Sequence, residues 1–201
     1  PLIIKVGSIQ AARMQVYFID SEDYFQRKAI FHDKETGKFF KDNDERAIFF
    51  VRGVLETVKK LGWVPDIIHC HGWMTSLVPL YIKTSFKKEP IFENSKVIFS
   101  LYNNEFDKPL NKDFAKKAMM DGISEEAIAA YSDTSFVGIN KAAIDAADAV
   151  IMASETINPK LEKHFNDANK PKLEYQTPEN YIDAYSKFYD EILETEEVLQ
   201  D

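Results

Sequence analysis

The chain holds a single cysteine, Cys70, among 201 residues. No intrachain disulfide can form, and no cluster of thiolates is on hand for a metal. Seven glycines are too few and too scattered for G-x-G-x-x-G or G-x-x-x-x-G-K-[ST], which excludes the common dinucleotide and P-loop phosphate cradles. No apolar run approaches the length of a membrane span, and the N-terminus lacks the basic-then-apolar order of a secretory leader. A cytoplasmic protein with no membrane partner is expected. Basic residues are also short. With 25 Lys and Arg against 33 Asp and Glu, the formal charge is −8. That argues against nucleic acid, because neutralising phosphates needs a dense Lys/Arg face. A neutral ligand bound by hydrogen bonds and aromatic stacking is not excluded.

What is present is enough apolar mass for one domain. Hydrophobic residues make up 45% of the chain, with 15 Phe, 9 Tyr and 2 Trp. Most of these rings are expected in the core, where each removes a large apolar area from water. Leu2–Val6 and Gln15–Ile19 are short apolar runs that read as strands. The stretch 20–44 has no sustained period and reads as a loop. From Asp42 a helix is expected. Asp42 with Glu45 has the form of a capping box, and Ala47, Val51, Val54, Leu55, Val58 and Leu61 recur at helical spacing. Lys59 and Lys60 suit the negative end of the helix dipole, and Gly62 stops it.

Pro65 then precedes Asp66–Cys70, a near-continuous apolar run of the kind buried on both faces of a parallel sheet. Helical pattern returns near Thr75–Ser85, and Lys96–Leu101 is a second buried-type strand. Short helices are expected within 111–131. A helix at Phe136–Ala147, a strand at Ala149–Ala153 and a helix at Glu155–Phe165 follow. Residues 166–177 read as a linker. From Pro178 a last helix places Tyr181, Ile182, Tyr185, Phe188, Tyr189, Ile192 and Leu193 on its apolar face, and the acidic run Glu194–Asp201 is expected to fray.

Strands alternating with helices mean an α/β fold, a doubly wound and mostly parallel sheet. Ligands of such sheets bind beyond the carboxyl ends of the strands, which here points to His69–Met74 and Tyr102–Asn104. His69 and His71 lie two apart on one strand and so share a face. No third ligand at metal-binding spacing stands out, so no metal and no cofactor is expected. His69 reads as a satisfied core histidine and His71 as a residue that faces a ligand. Trp73 is either a sugar-stacking ring or a wedge beneath the next helix. Asn103 and Asn104 are either sugar-binding amides or turn formers.

Several segments follow one another in a familiar order. They are Val16–Asp20, Asp23-Tyr24-Phe25-Gln26-Arg27, Lys41–Arg46, Leu61–Asp66, His69-Cys70-His71-Gly72-Trp73-Met74-Thr75, Leu77–Tyr81, Lys96–Ser100 and Ala146–Val150. In series, from about residue 15 to 160, they resemble the glycogen and starch synthases. The resemblance implies the Rossmann-like N-terminal half of a two-domain GT-B glycosyltransferase. Residues 1–177 would form that domain, its first strand lying upstream of Pro1, and residues 178–201 the closing helix that packs back on it. It implies retaining transfer of glucose from ADP-glucose or UDP-glucose to an α-1,4-glucan, with no metal required. The partners implied are an α-glucan, a nucleotide sugar or a synthase.

The same resemblance marks departures. Gly72 stands where the family has a sugar-contacting Asp, and Met74 where it has the next His. Tyr102 replaces the His of a His-Asn pair near the transferred glucose, while Asn103 matches. Phe31 takes the place of a cleft Tyr. The Lys-x-Gly-Gly loop that touches the diphosphate and the second domain's Arg, Lys and Glu have no counterpart in these residues. His71, Gly72, Trp73, Tyr102, Asn103 and Phe31 are therefore the candidate sugar-binding positions. No catalytic residue is expected, and two readings stay open. One is a glycogen-synthase-type glucosyltransferase, inactive alone, whose remaining parts lie upstream or in a partner chain. The other is a relative that has lost activity and binds glucan, nucleotide sugar or a synthase.

Overall fold

The computed structural model describes residues 1–27 and 29–194. Strands β1 (Ile3–Ile9) and β2 (Met14–Asp20) pair antiparallel. Together they form a two-stranded sheet of their own, outside the parallel one. The loop 21–42 is longer than a simple turn needs, and polar ties hold it. Arg27 grips the Asp42 carboxylate through both terminal nitrogens at 2.9 and 2.5 Å, and His32 bridges to Phe39.

Helix α1 (Asn43–Leu61) starts one residue after Asp42, but the expected capping box does not form. Arg27 occupies the Asp42 side chain, and Glu45 turns outward to Lys117 at 2.7 Å. An ion pair with a fixed fork outcompetes a backbone N–H for the same carboxylate. Ala47, Val51 and Leu55 are buried as their spacing predicts, whereas Leu61 is 43% exposed at the last turn. Gly62, at φ 69°, ends the helix in the left-handed conformation, which only glycine enters without steric cost.

The second sheet is parallel, in the order β3 (Ile67–His71), β4 (Lys96–Leu101), β5 (Ala149–Met152), β6 (Lys172–Leu173). Strand β6 lies inside the stretch that reads as a linker, pairing Lys172 and Leu173 with Val150 and Ile151. Two residues are too few to show a period. Between the strands run α2 (Leu77–Lys83), α3 (Phe114–Ala118), α4 (Glu125–Ala129), α5 (Phe136–Ala146) and α6 (Pro159–Asp167). Ser124, Ser135 and Asn158 cap the last three through side-chain oxygens, satisfying backbone donors that would otherwise be orphaned.

Alternation along the strands divides the interior into two cores. Cys70, Val97, Phe99, Leu101 and Val150 join residues of α1, α2, α5 and α6 in the larger one. Ile98, Ala149 and Ile151 point the other way, toward α7 (Tyr181–Glu194), where Phe188 and Ile192 cover them. Each of these two side chains contributes about 1.5–3 kcal/mol by burial. Ile182 stays 65% and Leu193 36% exposed, so the buried stripe of α7 is narrower than its apolar composition. Of the acidic run expected to fray, residues 195–201 lie outside the described residues. Among the described residues, no helix is long and apolar enough to cross a membrane.

Candidate functional site

Strands β3 and β4 end side by side, His71 paired with Ser100, and each then turns sharply. After β3 the chain passes through Gly72 at φ 73°, ψ 176°, a conformation that is essentially reserved for glycine. The Gly72 N–H donates to the Ser100 carbonyl at 3.1 Å, and its own carbonyl accepts from the backbone N–H and the hydroxyl of Thr75. A Cβ at Gly72 would meet the Asn104 amide nitrogen at 3.2 Å. After β4, the Asn103 N–H donates to Ser154 Oγ at 3.0 Å, which ties the end of β4 to the end of β5.

Because β3 alternates, Cys70 faces the larger core while His69 and His71 face α7. The two imidazoles lie 4.0 Å apart between ring centroids. His69 sits between two hydroxyls, Nδ1 2.6 Å from Tyr189 and Nε2 2.6 Å from Ser100. His71 Nδ1 lies 2.8 Å from the Tyr102 hydroxyl. The rings of Tyr185 and Tyr189 stand 5.8 and 5.7 Å from His69. Tyr181, Tyr185 and Tyr189 recur every fourth residue, so one face of α7 carries a tyrosine ladder.

Desolvation under α7, aided by the neighbouring His71, pushes His69 down to about 3. Desolvation lowers His71 as well, even though its outer edge meets water. The same loss of water raises Tyr102 and Tyr189 and pushes Tyr185 up to about 12. At neutral pH the cluster of two imidazoles and three phenols therefore carries no formal charge. It presents hydroxyl and imidazole groups that can hydrogen-bond neutral hydroxyls.

The six candidate positions separate into two groups. His71, Gly72, Tyr102 and Asn103 gather at the strand ends. Trp73 is buried, 1% exposed, under the rings of Phe31 at 4.9 Å and Phe106 at 5.0 Å. Phe31 thus meets Trp73 rather than the strand ends. Sequence reasoning missed Ser100 and the α7 tyrosines as neighbours of the histidines. The four-residue spacing of Tyr181, Tyr185 and Tyr189 was the available signal. Among the described residues, no group of three His, Cys, Asp or Glu is placed to hold a metal ion.

A parallel sheet with helices on both faces and a polar cluster at its strand ends is the architecture of a Rossmann-like ligand-binding unit. The comparisons place it more narrowly. The family model described as starch synthase catalytic domain matches residues 2–169, so the chain belongs to that family. A glycogen synthase of Chlorobium luteolum is 43% identical over 102 residues, covering 51% of this chain and 21% of its own length. A glycogen synthase of Chlorobium phaeovibrioides is 38% identical over 125 residues, covering 62% and 26%. Among solved structures, the catalytic domain of starch synthase IV from Arabidopsis thaliana, bound to ADP and acarbose, superposes with a TM-score of 0.59. That match has 20% identity and covers 88% of this chain and 37% of the other. The fold is accordingly similar to part of the starch synthase GT-B catalytic domain, and the matched segments span about a fifth to a quarter of these curated relatives.

Proposed function

We propose that this chain is a glycogen/starch synthase-like protein of α-1,4-glucan synthesis that does not by itself transfer glucose from ADP-glucose or UDP-glucose. The observation that carries the reading is the uncharged strand-end cluster. His69 and His71 are held neutral, Tyr102 engages His71, and Gly72 stands where the family resemblance calls for a carboxylate. Glucosyl transfer with a diphosphate leaving group depends on charge placed at the reacting atoms. One such contact is commonly worth about 10²–10³ in rate. In this reading, the surface formed by His71, Gly72, Tyr102 and Asn103 binds glucan hydroxyls, with Trp73 and Phe31 supporting it from beneath.

Incubating the chain with labelled ADP-glucose or UDP-glucose and glycogen should give no incorporation above a blank. Calorimetry with maltooligosaccharides should give saturable heat that the Tyr102→Ala substitution weakens. Clear incorporation would overturn the non-catalytic reading. If ADP-glucose binds and maltooligosaccharides do not, the ligand is the nucleotide sugar. If neither binds, a synthase partner remains, to be tested by co-sedimentation with a purified glycogen synthase.

A further inference from the structure

Residues of the connection between β2 and α1, together with Arg46 of α1, line an open cleft of about 710 Å³. Phe25, Arg27, Phe31, His32, Lys34 and Arg46 are prominent in its walls. In a chain of net charge −8 this concentration of basic groups is unusual, and the buried one is the key. Arg46 is only 4% exposed, yet its hydrogen bonds to the described residues run to neutral acceptors. Nε donates to the Tyr24 carbonyl at 2.9 Å, and Nη1 donates to the Ile30 carbonyl and Asn43 Oδ1 at 2.5 and 2.6 Å. Nη2 makes none among the described residues, and no carboxylate lies within ion-pair distance of Arg46 among them.

The neighbouring charges do not compensate it. Asp42 is taken by the bidentate fork of Arg27. Asp33 accepts the backbone N–H and hydroxyl of Thr36 on Oδ1. Both guanidiniums approach the ring of Phe40, at 4.7 and 5.4 Å, so two like charges share one carboxylate. Burial and the proximity of Arg27 push the Arg46 guanidinium below its usual value, and Asp42 offsets only part of this. A buried cation without a counter-charge is costly, and an anion in the cleft would relieve the cost. Lys34, exposed at the rim, adds a second positive charge without a carboxylate partner among the described residues.

We propose that this cleft is an anion site for a phosphate group, either free phosphate or the phosphate of a small phosphorylated sugar, gripped by Arg46 and Lys34. A guanidinium fork suits tetrahedral oxyanions, and the flanking Phe25 and Phe31 rings offer apolar walls to an attached organic group. The proposal differs from the glucan reading in the polar groups it uses, although Phe31 borders both sites. The cleft can bind phosphate whether or not the strand ends bind glucan.

The test is a titration of the full chain at low ionic strength with inorganic phosphate, a hexose phosphate and the neutral hexose. It is followed by calorimetry and by ³¹P line broadening. Both phosphates should bind saturably, the neutral hexose should not, and added salt should weaken the binding. Lys34→Glu, at an exposed position, should weaken binding by about tenfold while leaving the circular dichroism spectrum unchanged. Arg46→Gln should abolish binding. If that variant fails to fold, Lys34→Glu decides alone. Tighter binding of the hexose phosphate than of inorganic phosphate assigns the site to a phosphorylated sugar, and equal binding assigns it to free phosphate. No saturable phosphate binding, or binding indifferent to Lys34→Glu, overturns the proposal.

Discussion

Acidifying the protein from pH 7 to pH 5 should weaken it through His69. In the folded state this imidazole is held near 3, whereas its ordinary value is 6.5. A depressed native value means that the unfolded chain binds the proton more readily. The associated stability is therefore present above pH 6.5 and is lost as the pH falls toward about 3. Between pH 7 and pH 5 the difference in protonation amounts to about 1.4 pK units, or about 2 kcal/mol at 1.36 kcal/mol per unit. The carboxylates add their own pH dependence, so the comparison needs a variant in which only this group is removed. His69→Gln cannot titrate there and can still reach the Ser100 and Tyr189 hydroxyls. Urea unfolding of both proteins at the two pH values, followed by the emission of buried Trp73, should show the wild type losing about 1–2 kcal/mol more than the variant. Equal losses would refute the argument that α7 holds His69 out of water.

Two further perturbations follow from the packing. Lys117 reaches into α1 to pair with Asp44, whose side chain is fully buried, at 2.8 Å and with Glu45 at 2.7 Å. Burial works against its ammonium, but the two carboxylates outweigh that and raise it to about 12. Lys117→Met should therefore cost about 2–3 kcal/mol, discounted because Lys117 is itself partly exposed. Adding Asp44→Asn should restore part of the loss in urea unfolding. A Lys117→Met cost near zero would show that the pair contributes nothing. Gly72→Asp should destabilise by about 1–3 kcal/mol because of the backbone conformation at this position. Differential scanning calorimetry that finds it neutral or stabilising would show that the turn after β3 can relax into a shape open to other residues.

Much of the frame was legible because it rests on period and punctuation. The apolar runs at Asp66–Cys70 and Lys96–Leu101 gave parallel strands, but only the second is buried on both faces. Strand β3 lies at the sheet edge, and Cys70 alone among its residues is buried. Gly62 marked the end of α1, and the Tyr181–Leu193 pattern gave the last helix, which begins at Tyr181 rather than Pro178. What escaped were features set by competition between distant groups. Asp42 had the form of a cap, but Arg27, fifteen residues away, claimed it. Strand β6 is too short to carry a pattern of its own. The spacing of His69 and His71 showed that they share a face. It could not show that Ser100, two strand positions beyond Ile98, and Tyr189, 120 residues away, would complete the hydrogen bonds of His69. Nothing in the sequence pattern around Arg46 marks it as a buried residue. Its burial without a counter-charge is a property of the loop folded over it.

Cys70, the one thiol of the chain, lies in the larger core at 3% exposure, and burial pushes it well above the ordinary thiol value. It is also the residue between His69 and His71. Alkylation requires both access and a thiolate, so in the native state this sulfur is silent, and it reacts only when β3 detaches from its neighbours. The chain therefore carries its own clock for the opening of the strand that bears the candidate site. A ligand held at His71 and Tyr102 would slow that clock in proportion to its occupancy, reporting binding at the strand ends without any label attached there.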